Sequence, residues 1–442
     1  MADRAESGHP AVQAQLDRLA PLSPGADVLG LERISALLGR LGYPERRLPA
    51  VFHVAGTNGK GSTCAFLRAA IEAAGLSAHV YTSPHLVRFN ERIRLAGTLI
   101  EDEALAALLE ETLDSAGGME VSFFEATTAA AFLAFSRAPA NACIVEVGLG
   151  GRLDATNVVP APAVCGIAQL GLDHQFFLGD RIEQVAAEKA GIAKKGVPLV
   201  TQAYPPLVAG PVAEAAAKAG AVWLPRGPAW DFEVQGERLH YSDRDGTTEL
   251  PLPRLNGAHQ AMNAALAVAM LRHQQAVRVP EAALKAAMGW ADWPARLQRL
   301  SPGPLHALLP PGAELWLDGG HNPAAARAVA DFLRAHVPAG RPFHIVFGLL
   351  GNKDSAGVMK PFAGRSVTVH PIPVASHEHH PPESLAAAAR EAGLSAVPAA
   401  SVEDALGWIA RHADRARPPI VLIFGSLYLA GEILRKNGQP PA

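Results

Sequence analysis

The run Val51-Phe-His-Val-Ala-Gly-Thr-Asn-Gly-Lys-Gly-Ser62 leaves little freedom to the chain around it. Its first half reads as a short apolar strand and its second half as a glycine-rich turn. From Thr63 to about Ala74 the pattern is helical. That order converges backbone N–H groups on a helix N-terminus, whose dipole favours an anion. Glycines permit the close approach and Lys60 adds a mobile positive charge, so the stretch predicts a cradle for nucleotide phosphates. The common pattern G-x-x-x-x-G-K-[ST] is not met. Position 54 is Val54, and Gly61 separates Lys60 from Ser62. A glycine-rich turn taken alone is equally a plain strand-to-helix connection.

At 442 residues, with about 150 per domain, two or three domains are expected. Hydrophobic residues make up 49% and charged residues 18%, enough apolar surface for a large core. A net charge of −3 gives no electrostatic case for nucleic acid or an anionic membrane as partner. Cys64, Cys143 and Cys165 sit in apolar contexts without metal-type pairing, which fits packed thiols in a reducing compartment. No run approaches the roughly 18 apolar residues of a membrane span. The N-terminus carries acids rather than the basic region of a leader peptide. The expectation is a cytoplasmic monomer that handles small molecules.

Along the chain, residues 1–25 read as loosely ordered and Leu31 to Leu41 as an amphipathic helix. Ala78 to Thr82 is a strand ending in Ser83-Pro84-His85-Leu86, followed by an irregular Phe89-Asn-Glu-Arg-Ile93. Helices are expected over 101–115, 125–137 and 181–194, and strands over Ala142 to Val147 and Ala163 to Ala168. Strands alternating with helices argue for a parallel sheet covered on both faces, with its chemistry beyond the carboxyl ends of the strands. Thr57 to Ser62, Ser83, Glu146 and Asp173-His174 all follow strands in that way. Short β-like runs over 221–253 suggest a small antiparallel insertion, and Asn256 to Gln275 returns to helix. Pro294 to Pro311 reads as a linker. Beyond it, Glu314–Asp318, Phe343–Phe347, Ser366–Val369 and Ile420–Phe424 are strands of a second α/β domain. The division expected is 1–295 and 296–442, with no internal repeat.

Bound phosphates call for magnesium, a hard cation that keeps waters and takes oxygen ligands. Glu146 closes a buried-type strand, where a carboxylate is costly without a partner, and Ser83 offers a hydroxyl oxygen nearby. His174 is open between a ligand and a structural hydrogen bond, because imidazole favours softer metals. Lys189 stands beside an acid, and a salt bridge is its plain reading. In the second domain, Leu317-Asp318-Gly-Gly-His321-Asn322-Pro323 repeats the strand, turn and helix order. Asp318 can accept from ribose hydroxyls or cap the next helix, and His321 with that helix N-terminus can meet an anion. The run His377-Glu-His-His380 lies in a proline-flanked loop without helical spacing, which favours a solvated loop over a metal site.

These stretches resemble the folylpolyglutamate synthase and dihydrofolate synthase family, within the Mur-type ATP-dependent amide ligases. The resemblance runs from about residue 26 to the C-terminus. It is carried by Gly56–Ser62, Ser83-Pro-His-Leu86 with Phe89–Ile93, Ser122-Phe-Phe-Glu125 and Glu146-Val-Gly-Leu-Gly-Gly-Arg-Leu-Asp-Ala-Thr-Asn157. It continues in Leu172-Asp-His174, Glu188-Lys-Ala-Gly-Ile192, Asp318–Pro323 and Phe424-Gly-Ser-Leu-Tyr-Leu-Ala-Gly431. The resemblance implies an α/β chain. A P-loop-type, mostly parallel sheet domain with a small antiparallel insertion precedes a smaller Rossmann-like domain. Thr57, Asn58, Gly59, Lys60, Gly61 and Ser62 then hold the ATP phosphates, with Asn263, Arg296 and Asp318 as further nucleotide contacts. Ser83, Glu146 and His174 become ligands of a pair of magnesium ions. Lys189 matches the lysine that the family carbamylates, and His321 is placed to meet the reacting phosphate.

A pterin-side pocket is implied at Leu29, Gly30 and Leu31, at Ser122, Phe123, Phe124 and Glu125, and at Leu153, Asp154 and Ala155. Arg92 and Ser426 are candidates for orienting the incoming glutamate. The implied reaction activates a substrate carboxylate with ATP as an acyl phosphate, which the amine of L-glutamate then attacks. Water must be kept out, and closure of the second domain about residues 294–304 is the expected device. Asp27-Val-Leu-Gly-Leu-Glu32 resembles the motif of bifunctional bacterial members, so both dihydropteroate and folates are expected substrates. A member with the folate activity alone is the alternative. Ser122 stands where threonine is common, and residues 372–382 match no family pattern. Other Mur-type ligases acting on nucleotide-sugar peptides need a uridine-binding domain for which there is little room before Val51. A binding module without amide chemistry would bind ATP and release no phosphate.

Overall fold

In a computed structural model the chain is described over residues 6–22, 29–338, 340–364 and 366–441. Asp27 and Val28, which begin the first pterin-side motif, lie outside the described residues. The chain forms two units, Met1–Arg254 with Gln260–Asp292, and Leu255–His259 with Trp293–Ala442.

The first unit is built on a sheet of β1 (Ala50–Ala55), β2 (Ala78–Tyr81), β3 (Ile93–Leu95), β4 (Thr98–Leu99), β5 (Ala142–Glu146), β6 (Val164–Ile167), β7 (Pro198–Thr201) and β8 (Val222–Pro225). Their order across the sheet is β4-β3-β2-β5-β1-β6-β7-β8, parallel except for the β3 and β4 edge. The central strands are buried and mostly apolar because both faces are covered, with His53, His79 and Glu146 the polar exceptions in β1, β2 and β5. On one face Val51, Tyr81, Cys143 and Val145 join a core with the Asp102–Ala116 and Phe123–Arg137 helices. On the same side, Ala55, Cys165 and Ile167 meet the Ile182–Ala190 and Pro206–Ala219 helices. Gly166 lies where a Cβ would stand 2.3 Å from Met270 Sδ, so the Ala258–Arg272 helix presses directly on β6.

Three local expectations need correction. Residues 10–19 are a helix, not loose chain. Pro10 opens it, and Val12, Leu16 and Leu19, one helical face, are buried, while Arg18 reaches Asp114 at 2.6 Å. Phe89–Ile93 is not irregular: Phe89–Arg92 form a 3-10 turn, and Ile93 opens the β3–β4 edge ribbon. Val222–Pro225 is not part of the insertion; it pairs parallel with β7 as an edge strand. The antiparallel sheet comprises only β9 (Trp230–Gln235), β10 (Arg238–Asp243) and β11 (Gly246–Pro251). Alternation within one short strand does not tell parallel from antiparallel pairing.

The second unit carries β12 (Gln298–Arg299), β13 (Glu314–Asp318), β14 (Phe343–Phe347), β15 (Val367–Pro371), β16 (Ser395–Ala396) and β17 (Ile420–Phe424). Their order is β12-β13-β17-β14-β15-β16, with β12 alone antiparallel. Ile345, Val369, Leu422 and Phe424 form its core with the Pro323–His336 and Pro382–Glu391 helices. All three cysteines are buried thiols. No helix among the described residues is long and apolar enough to cross a membrane.

Candidate active site

The strand order sets the site. β2, β5, β1 and β6 are neighbours, so the residues that follow them leave the sheet side by side at its carboxyl edge. From β1 the chain turns at Gly59, whose φ of 86° suits glycine, and the helix begins at Lys60 rather than at Thr63. Lys60, Gly61 and Ser62 therefore form the first helical turn, and their N–H groups are the ones a helix leaves open. The turn is braced from β6: Thr57 N donates to Gln169 O at 2.8 Å and Thr57 Oγ1 to Gly171 O at 2.9 Å. A Cβ on Gly59 would stand 2.3 Å from Asn263 Oδ1, and Asn263 Nδ2 is held by Gln260 Oε1 at 3.0 Å. Asn263, expected as a nucleotide contact, thus lies against this turn.

Glu146 ends β5 almost wholly buried, and Lys60 Nζ is 3.9 Å from its Oε1. Ser83 follows β2 and is half-buried. His174 follows β6 on an exposed turn with a φ of 51°, its own N–H bonded to Asp173 Oδ1 at 2.8 Å. Among the described residues no three His, Cys, Asp or Glu side chains gather into a metal-type cluster. Of these three, the Glu146 carboxylate and the Ser83 hydroxyl are the oxygen donors that suit magnesium, which leaves most positions to water and phosphate oxygens, whereas the His174 imidazole is the poorer match.

Lys189 is 4% exposed on the Ile182–Ala190 helix. Its plain reading as a salt bridge to the adjacent acid does not hold. Glu188 pairs instead with Arg152, at 2.8 and 3.0 Å. Burial and the nearby Lys60 charge bring the Lys189 amine down to a pKa of about 7. At neutral pH much of it is therefore a free amine, able to act as a nucleophile.

The three stretches expected on the pterin side converge. Leu31, Phe123, Phe124 and Ala155 belong to one apolar cluster. Ser122 and Glu125 form a capping box that starts the Phe123–Arg137 helix, and Arg33 Nε donates to Glu125 Oε2 at 3.1 Å. That contact ties the Leu29-Gly30-Leu31 segment to the helix start. The Phe124 ring lies over Gly148, where a Cβ would stand 2.3 Å from its Cζ. Leu153 is half-buried and Asp154 buried in the loop that follows. Arg92 is buried as well, donating to His85 Nδ1 at 3.0 Å, with its guanidinium 5.2 Å from the Phe89 ring and 5.6 Å from Phe123.

In the second unit, Asp318 accepts from Leu297 N at 2.8 Å and Gly320 N at 2.7 Å. The next helix is capped by Asn322, which accepts from Ala325 N, so Asp318 is not its cap. Asp318 instead ties Leu297, the residue after Arg296, to its own turn, while Gly319 N donates to Ala295 O at 2.9 Å and Arg296 Nη1 to the same carbonyl at 2.9 Å. His321 approaches Gly319 O at 3.3 Å. His259, which no sequence motif singled out, carries a pKa lowered by burial, with the charges of Asp318 and Arg296 acting on it. Ser426 caps the Leu427–Lys436 helix. The His377–His380 loop is not simply solvated. His377 stacks on Tyr428 at 3.8 Å, and His380 Nε2 meets Lys353 O at 2.8 Å.

A family model described as Mur ligase, glutamate ligase domain matches residues 308–427. With a phosphate-loop unit before it, the fold is that of a Mur-type ligase, an enzyme that forms amide bonds. The chain is 34% identical to the dihydrofolate synthase/folylpolyglutamate synthase of Bacillus subtilis (strain 168), over 92% of this chain and 94% of that one. Among solved structures it resembles Escherichia coli FolC in complex with DHPP and ADP, at 33% identity and a TM-score of 0.86 over 97% of both chains. A bifunctional folylpolyglutamate synthase/dihydrofolate synthase with Mn, AMPPNP and L-glutamate bound aligns at 32% identity and a TM-score of 0.84, over 98% of this chain and 99% of that one. The chain belongs to the dihydrofolate synthase/folylpolyglutamate synthase family.

Proposed function

We propose that this protein joins L-glutamate both to dihydropteroate and to folates, consuming ATP and releasing ADP and phosphate. The observation that carries this is the placing of the Lys60 cradle, Glu146, Ser83 and His174 after four adjacent strands. On this reading Thr57, Asn58, Gly59, Gly61 and Ser62 hold the phosphates with Lys60, while Asn263, Arg296 and Asp318 are further nucleotide contacts. Ser83, Glu146 and His174 would hold a pair of magnesium ions, whose chemistry when bound would be charge neutralisation on the phosphate.

The chemistry asks mainly for positioning and charge. A carboxylate is a poor acyl donor because oxide or hydroxide leaves badly. Its oxygen therefore attacks the γ-phosphorus, the bond to ADP breaks, and an acyl phosphate results. Lys60 and Arg296 offset the charge that develops, and His321 meets the transferred phosphoryl group. Glutamate's neutral amine then attacks the acyl carbon, expels phosphate and loses a proton. Leu29, Gly30, Leu31, Ser122, Phe123, Phe124, Glu125, Leu153, Asp154 and Ala155 form the pterin-side wall. Arg92 and Ser426 orient glutamate. Lys189, as its neutral amine, takes up carbon dioxide as a carbamate with loss of a proton, which would put an anionic oxygen donor in place of the amine. The protein works as a cytoplasmic monomer.

Purified protein given ATP, labelled glutamate and either dihydropteroate or tetrahydrofolate should yield a glutamylated product from each. Product from tetrahydrofolate alone would leave only the folate activity. The cradle has its own test. Gly59→Ala places a Cβ against Asn263 on a backbone that resists it, and should weaken binding of a non-hydrolysable ATP analogue about tenfold or more. Unchanged affinity by calorimetry would move the phosphates elsewhere.

A further inference from the structure

Asp154 is 3% exposed, and both of its oxygens are engaged inside the chain. Oδ2 accepts from Leu149 N at 2.8 Å, and Oδ1 accepts from Thr156 N at 3.0 Å and from the Thr156 hydroxyl. Three of the roughly four acceptor positions of a carboxylate are thus filled. A hydroxyl has one proton. Having given it to Asp154, Thr156 Oγ1 can only accept from its other neighbour, His53 Nε2, 2.8 Å away. His53 is therefore the tautomer with its proton on Nε2. Its Nδ1 is buried with no hydrogen-bond partner among the described residues, and an orphaned lone pair is more readily tolerated there than an orphaned N–H. Burial, with the Lys194 charge, holds the ring neutral, its pKa down at about 3.

His53 belongs to β1, the strand that feeds the phosphate turn, with Val145 and Cys165 as its register partners. The hydrogen-bonded chain thus leads from the middle of that strand into the loop 148–157. The loop is gripped from its other side too. Arg152 N donates to Glu188 O at 2.8 Å, Asn157 Nδ2 to Gly191 O at 3.1 Å, and Lys194 Nζ to Asn157 O at 2.9 Å. At Gly151 a Cβ would stand 3.0 Å from Lys189 Cα, so the loop backbone rests on the helix that carries Lys189.

We infer that His53 and Thr156 are positioning residues for the pterin ring. The chain His53 Nε2–H to Thr156 Oγ1–H to Asp154 holds the 148–157 backbone as a fixed wall, and Asp154 shapes that wall more than it offers a free carboxylate. The inference rests on the pterin-side assignment above and adds residues that lie behind the wall and touch no substrate.

Thr156→Val removes the hydroxyl and leaves the His53 N–H buried without an acceptor. By calorimetry it should bind dihydropteroate about tenfold more weakly or worse, with affinity for the ATP analogue held within about twofold. Thr156→Ser, which keeps the hydroxyl, should recover pteroate binding. In the unaltered protein, 15N spectra of His53 should show a single neutral tautomer protonated at Nε2 from pH 6 to 8, as ordinary core packing would not require. Wild-type pteroate affinity in Thr156→Val, or a proton on Nδ1 of His53, would overturn the inference. If Thr156→Val does not fold, the tautomer and Thr156→Ser decide it. Phe124→Ala separates the two levels: if it weakens pteroate binding while Thr156→Val does not, this inference alone fails. If neither does, the pterin assignment fails with it.

Discussion

Lys60→Ala is expected to lower kcat by about 10²–10³-fold, the loss seen when one preorganised charge donor is removed from a developing anion. Lys60 stands in the first turn of its helix, its Nζ 3.5 Å from Thr57 O and 3.9 Å from Glu146, and its side chain is only 17% exposed. No apolar core depends on it, so circular dichroism should show a folded protein. The thermal midpoint should fall somewhat, because Glu146 loses a neighbouring cation in a buried place. A variant within about twofold of full turnover would rule out the phosphate cradle. A second effect follows from the same geometry. Lys60 is one of the charges that hold the Lys189 pKa down, so its removal should move that pKa up.

Lys189→Ala should lose most turnover too, and short carboxylates such as acetate should restore part of it by supplying the missing oxygen ligand. A loss that no carboxylate relieves, in a folded variant, would argue against the carbamate. Carbamylation also has a pH signature, because only the neutral amine attacks carbon dioxide. With the pKa at about 7 rather than 10.5, the 13C carbamate signal from labelled bicarbonate should grow as pH rises through 7 and vanish below it. Growth only near pH 10 would mean an ordinary exposed lysine. The sign for stability agrees. Between about pH 7 and 10.5 the unfolded chain binds the proton that the folded amine has released, so the uncarbamylated fold gains stability as pH rises across that window.

What could be read beforehand was local. Strand, turn and helix order placed Lys60, Glu146, Ser83 and His174 on one rim because each lies within a few residues of a strand end, and parallel sheets expose those ends together. Motif resemblance then supplied the pterin side. Contacts between distant residues stayed hidden. Glu188 beside Lys189 looked like its partner, but the helix turns Glu188 towards Arg152, 36 residues away. Thr156 and His53 are 103 residues apart, and nothing in either neighbourhood announces the bond between them. The helix at Pro10–Leu19 was within reach, since Val12, Leu16 and Leu19 keep helical spacing behind a proline start. Asp318 showed the reverse: a strand-end acid before a turn looks like a cap, and only the fold reveals that Asn322 does the capping.

The sheet order has a consequence for how the enzyme is made. β1 carries the phosphate turn, yet its neighbours on both sides arrive much later in the chain: Phe52 lies opposite Ile144 on one side and Val164 on the other. A nascent chain emerging from the ribosome therefore displays Lys60 long before Glu146 and the Gln169 brace exist. Such long-range pairing is the slow part of folding. If that turn holds nucleotide as proposed, binding should have to wait until the chain has been made past Gln169, whose carbonyl braces it. Binding of ATP should then report that β5 and β6 have closed on β1, and nucleotide should stabilise only chains that have got that far.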